Sequence, residues 1–92
     1  MNTNNNLNEK PGWFNGALVS KSLDAREMLQ AGQHPLAEAV KITSGMKPGQ
    51  VFELITPFKP MPLIEKIREI GFSAYVESVS DSEIHTYFCK VV

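Results

Sequence analysis

The sequence holds one cysteine, Cys89, among 92 residues. No internal disulfide can form, and a reducing cytoplasm is the expected setting. No apolar run approaches the roughly 18 residues that a membrane span needs, so no membrane partner is expected. Nine Lys and Arg against ten Asp and Glu leave a formal charge of −1. That balance offers no basic face for nucleic acid, which is not an expected partner. The first residues lack a basic-plus-apolar pattern, so no signal peptide is expected either. A phosphate-cradling glycine loop, a Ser-His-Asp set and a carboxylate pair for acid–base work are all missing, and no catalytic residue is assigned. A chain this short forms one domain of modest stability, with little room for a large buried cofactor. No cofactor is assigned.

What is there begins with an asparagine-rich stretch, MNTNNNLNEKPG. It is too polar to offset its ordering entropy, and residues 1–14 read as a disordered tail ahead of a single domain at 15–92. Trp13 and Phe14 end that stretch and are expected to pack on the domain rather than to form an exposed contact patch. Residues 17–25 have the length and alternation of a first strand, with Val19 and Leu23 on one face. Residues 26–29 can add a turn of helix before Ala31-Gly32. A helix is expected over 35–45, striped by Leu36, Ala39, Val40 and Thr43, with Gly45 as a left-handed cap. Residues 50–56, QVFELIT, form the strongest strand. Pro62 then starts a helix to Ile70 that buries Leu63, Ile64, Ile67 and Ile70. Residues 72–79 and 83–91 make a hairpin around Asp81-Ser82. The order β-α-β-α-β-β packs economically as an α+β open two-layer sandwich, with two helices on one face of a four-stranded mixed sheet.

His34 and Pro35 open the first helix of this plan, with His34 at the cap and Pro35 at the first helical position. If the first two strands are parallel, loops 26–34 and 57–61 meet at their carboxyl ends. Two helix starts then face the same way, which suits an anion, and Arg26 and Lys59 stand near enough to add charge. His34 beside a helix start is a candidate metal ligand or hydrogen-bonding group. No Asp or Cys stands at ligand spacing around it. On the last strand, alternation turns Ile84, Thr86 and Phe88 toward the helices and His85, Tyr87 and Cys89 to the open face, joined by Glu53 and Glu77. That places a candidate redox thiol, Cys89, beside His85. It also leaves a face through which a homodimer can form.

Several stretches resemble, in order, the bacterial domain-of-unknown-function family 2249 (DUF2249). They are Leu23-Asp24-Ala25-Arg26, Gly32-Gln33-His34-Pro35-Leu36, Lys47-Pro48-Gly49-Gln50-Val51-Phe52-Glu53-Leu54 and Pro57-Phe58-Lys59-Pro60-Met61-Pro62-Leu63. The family looks like a relative of the TusA/SirA sulfur carriers. In those carriers a Cys-Pro pair at the start of the first helix takes up persulfide sulfur. Here the corresponding pair is His34-Pro35, without the nucleophile. The resemblance therefore implies a fold and a site location rather than an activity. Three readings follow in order: a non-catalytic module taking a protein partner or a small anionic ligand at His34, Pro35, Arg26 and Lys59; a sulfur-transfer or redox protein using Cys89; and metal or haem binding through His34 or His85.

Overall fold

The structure, a computed structural model, describes residues 7–15 and 18–90. The element order is β1 (Val19–Asp24), α1 (Arg26–Gln30), α2 (Leu36–Ser44), β2 (Val51–Thr56), α3 (Met61–Glu69), β3 (Phe72–Ser80) and β4 (Glu83–Lys90). The sheet runs β1-β2-β4-β3, with β1 and β2 parallel and β4 antiparallel to both of its neighbours. The hairpin turn at Asp81-Ser82 sends β4 back between β2 and β3. The result is the four-stranded mixed α+β sheet expected from the pattern, and it is not closed. Ala17 and Val91, placed in strands from the pattern, lie outside the described residues, as do residues 1–6 of the expected tail.

The helix side carries the main core. Phe52, Leu54 and Phe88 from the central strands meet Ala39 of α2 and Leu63, Ile64 and Ile67 of α3. Phe52 and Phe88 stack with centroids 5.9 Å apart, because their positions face each other across the β2–β4 pair. The stripe on α2 is as the spacing predicts: Ala39 and Thr43 are buried, with Leu36 and Val40 packed beside them. The Thr43 hydroxyl donates to the Ala39 carbonyl at 2.9 Å, which satisfies it inside the core.

Four local expectations are corrected. Val19 and Leu23 do not share a face: Val19 packs with Val51 on the sheet's other side, and Leu23 packs with the helix-side core. A bulge between Val19 and Lys21 is the reason, since one extra residue flips the alternation beyond it. Ile70 is not on the buried face of α3 but half exposed, because the helix stops at Glu69 and Gly71, at φ 107°, turns the chain into β3. Gly45 closes α2 at φ −96°, so its cap is not left-handed. Finally, the helix starts shift in opposite directions: α2 begins one residue later than the pattern puts it, with Pro35 rather than His34 as the cap, and α3 begins one residue earlier, at Met61 with Pro60 as the cap. The Pro35 carbonyl accepts from the Ala39 N–H at 2.8 Å and that of Pro60 from Ile64 at 2.9 Å. Proline lacks only an N–H that the first turn leaves unbonded, so neither shift costs a hydrogen bond.

The side of the sheet away from the helices is not open along its whole length. Residues 7–15 cross it. Leu7 is buried at the rim of the main core, and its carbonyl accepts from the Val76 N–H of edge strand β3 at 2.7 Å. Phe14 then sits 4.6 Å from the Tyr87 ring and 5.0 Å from that of Tyr75. With Trp13 and Val19, it closes a second cluster of Val51, Tyr75, Tyr87 and Cys89. Trp13 and Phe14 thus pack on the domain, but on the face opposite the helices.

Candidate functional site

The short helix α1 sets up the first candidate site. It ends in a left-handed turn at Gly32, φ 80°. The Gln33 N–H reaches back to the Met28 carbonyl (2.9 Å) and the Gly32 N–H to that of Leu29 (3.1 Å), the paired bonds of a Schellman cap. The cap reverses the chain and delivers His34 and Pro35 to the start of α2. On the neighbouring loop, the buried Thr56 hydroxyl donates to the Phe58 carbonyl and holds the chain between β2 and α3.

The two loops meet, as parallel β1 and β2 require. Between them runs a groove of about 440 Å³, walled by Leu29, Pro35 and Leu36 on one side and by Phe58, Pro60 and Leu63 on the other. Its size falls in the ~300–1,000 Å³ range of small-molecule clefts. His34 and Lys66 supply its side-chain hydrogen-bonding and charged groups. Neither helix start carries a side-chain cap. Among the described residues His34 makes no hydrogen bond and is exposed to solvent. Phe58 is 53% exposed although apolar, and it forms the groove's outer lip.

Of the residues singled out from the sequence, His34 and Pro35 line this groove. Lys59 is exposed between two lining residues and is not itself part of the wall. Arg26 goes elsewhere. Its guanidinium binds Asp24 with Nε–Oδ1 at 2.9 Å and Nη2–Oδ2 at 2.7 Å, and reaches Glu83 at 3.4 Å. The Asp24 carboxyl is held below the usual carboxylate range by that hydrogen bonding. Lys66 and Phe58 were missed as site residues. The spacing was there to find them, since Lys66 is one turn on from Pro62 and Leu63 along α3. Their convergence with His34, however, depends on how the two helices sit on the sheet.

The second cluster lies on the other side of the sheet, where alternation along β4 does place His85, Tyr87 and Cys89 together. His85 Nε2 contacts Glu83 Oε2 at 2.7 Å, and its Nδ1 lies 3.3 Å from the Tyr87 hydroxyl and 3.6 Å from Glu53 Oε2. Tyr87 donates to the same Glu53 oxygen at 3.1 Å, while Ser22 donates to Oε1 at 2.8 Å. Glu77 joins through the Tyr75 hydroxyl at 3.3 Å. Burial first, and Glu53 second, pushes the Tyr87 phenol well above its ordinary range. Cys89 is 3% exposed, and burial pushes its thiol up as well. A thiolate is disfavoured there, the reverse of what redox or sulfur-relay chemistry requires. Among the described residues no group of three or more His, Cys, Asp or Glu is arranged to hold a metal ion. None of the described helices is long and apolar enough to cross a membrane.

The sequence family described as "Uncharacterized conserved protein (DUF2249)" matches residues 22–90, from within β1 to the end of β4. No curated protein and no solved structure matches the chain.

Proposed function

The chain belongs to DUF2249, a family of uncharacterised conserved proteins, and from the geometry of the groove we propose that it is a non-catalytic binding module whose ligand sits at His34-Pro35. The ligand is a small molecule with an apolar body and one anionic group. The observation that carries this reading is the groove itself: apolar walls, an exposed Phe58 at the lip, and His34 with Lys66 as its polar groups. Apolar burial against Leu36, Phe58 and Leu63 supplies the attraction, and the two polar side chains fix the orientation. The positive ends of two uncapped helices favour the anionic group on the same side. Lys59 adds charge at the rim. Arg26 takes no part, since its guanidinium is committed to Asp24 and Glu83. Sulfur transfer, the reading suggested by a likeness to the TusA/SirA carriers, ranks behind this one: His34 stands where the carriers have cysteine, and Cys89 is buried on the far face.

The test uses 8-anilinonaphthalene-1-sulfonate, which has the required apolar body and anionic group. Saturable binding is expected, with amide shifts confined to 29–38 and 57–66. Phe58→Ala and Lys66→Glu change exposed side chains, and each should weaken binding roughly tenfold, the worth of one charge-assisted contact or one buried ring edge. Shifts that map to the sheet face, or affinities unchanged in both variants, would remove the groove from consideration.

A further inference from the structure

Residues 7–15 lie outside the stretch matched by the family, yet they fill a site built from family-matched residues. The ends of this segment are anchored differently. At the β3 edge Leu7 supplies the carbonyl for Val76 and buries its side chain. Toward β1 the Asn15 carbonyl accepts from the Leu18 N–H at 2.8 Å. Between them a turn closed by Phe14 N–H to Pro11 C=O (3.1 Å) presses the Phe14 ring onto Tyr75 and Tyr87. Lys10 places its ammonium 5.6 Å from the centroid of the Phe14 ring, and Trp13 meets that ring edge-on at 6.4 Å. Asn8 and Asn15 are engaged as well.

The sheet beneath depends on none of this for its own pairing. β4 is bonded to β2 and β3 along its length, and Phe52, Ile64 and Phe88 are buried on the opposite side. Lifting residues 7–15 therefore breaks ring contacts and an edge hydrogen bond and draws Leu7 from the rim of the main core, while the ladder and the centre of that core at Phe52, Ile64 and Phe88 stay in place. Elements attached mainly by side-chain packing open at lower free energy than ladder strands do.

We propose that residues 7–15 form a detachable strap, which masks the aromatic face of Tyr75 and Tyr87 together with the Cys89 thiol and lifts from them while the domain stays folded. The strap is an intramolecular occupant: an aromatic pair on a proline-glycine turn, seated on two tyrosine rings. When it lifts, Tyr75, Tyr87 and Cys89 lose the cover of Trp13 and Phe14 together, and the thiol becomes accessible in the same step. The device is independent of the His34 groove, which lies on the helix side.

The test is made on the full chain. Native-state hydrogen exchange in low urea should show the Val76 amide, bonded to Leu7, exchanging roughly tenfold or more faster than the Phe88 amide of the central strand, with a shallower urea dependence. Labelling of Cys89 by 5,5′-dithiobis(2-nitrobenzoate) should follow the same shallow dependence, each event releasing one thionitrobenzoate as the mixed disulfide forms. If Val76, Phe88 and Cys89 share one urea slope, the strap opens only with global unfolding and the proposal falls. Phe14→Ala supplies a second reading: labelling of Cys89 roughly tenfold faster, with Phe88 protection retained, is the expected result. An unchanged labelling rate, or loss of Phe88 protection, would overturn the proposal.

Discussion

Tyr87 of β4 and Glu53 of β2 are register partners, and the tyrosine hydroxyl donates to Glu53 Oε2 at 3.1 Å across the pair. The same carboxylate takes the Ser22 hydroxyl and lies near His85. Three strands are thereby joined on the face away from the helices. The hydrogen bond holds only while the phenol keeps its proton, and this gives the pair a pH signature.

The Tyr87 phenol titrates higher in the folded chain than in the unfolded one, because it is buried and faces Glu53. Below about pH 10 both states are protonated and the stabilisation is complete. As pH rises past that point the unfolded state ionises first, so stability falls with further increase. Urea midpoints measured from pH 8 to 11.5 should therefore begin to decline near pH 9, where Cys89 contributes, and fall more steeply above about pH 10. Tyr87→Phe should reduce that slope without abolishing it, since Tyr75 and Cys89 are shifted in the same direction. A slope identical in both proteins would show that Tyr87 is not responsible.

Thr86 lies on the helix side of β4, and its hydroxyl is buried without a hydrogen-bond partner among the described residues. A valine has the same shape and no polar atom to desolvate. Thr86→Val should raise stability by about 1 kcal/mol, the usual cost of an unsatisfied buried hydroxyl. Denaturation by urea gives the answer as a higher midpoint at unchanged slope. A lower midpoint would mean that the hydroxyl has a partner after all.

Two glycines should respond in opposite ways. Gly32 sits at φ 80° with open space where a Cβ would go, so Gly32→Ala carries backbone strain alone, about 1–2 kcal/mol. Gly45 sits at φ −96°, and an added Cβ would stand 3.8 Å from the Ile42 carbonyl, an ordinary contact. Gly45→Ala should stabilise by roughly 0.4–1 kcal/mol through the unfolded chain. Thermal melts of the two variants against the parent decide both signs.

Core truncation should be severe for a domain of this size. Ile67 is fully buried between α3 and the sheet. Ile67→Val should cost about 0.5–1.5 kcal/mol and Ile67→Ala about 2–5 kcal/mol. The alanine variant is expected to populate the unfolded state visibly at 37 °C, measurable by circular dichroism.

Much of this fold could be read from the residues because it rests on local periodicity. The alternation along β4 by itself separates Phe88 from Cys89, and the i, i+3, i+4 spacing of Leu63, Ile64 and Ile67 names the buried side of α3. Proline and glycine marked the helix limits to within a residue. Errors arose where one extra or one missing residue changes direction: the bulge after Val19, the early stop before Ile70, the cap at Gly45. The site was half legible. His34 and Pro35 line the groove, whereas Arg26 was claimed by Asp24, two residues away, through a short-range pairing that a count of nearby charges does not reveal.

The sequence by itself determined the element order, the layer arrangement and the facing of each strand residue beyond the bulge, since burial of an amphipathic pattern admits few alternatives. The tertiary structure alone decided which loops meet, and so brought Phe58 and Lys66 to His34. It also laid residues 7–15 across the sheet. Those residues are polar on average, and composition describes averages. Leu7, Trp13 and Phe14 are three apolar side chains spaced to reach the β3 edge and two tyrosine rings, and that match exists only once the sheet has formed.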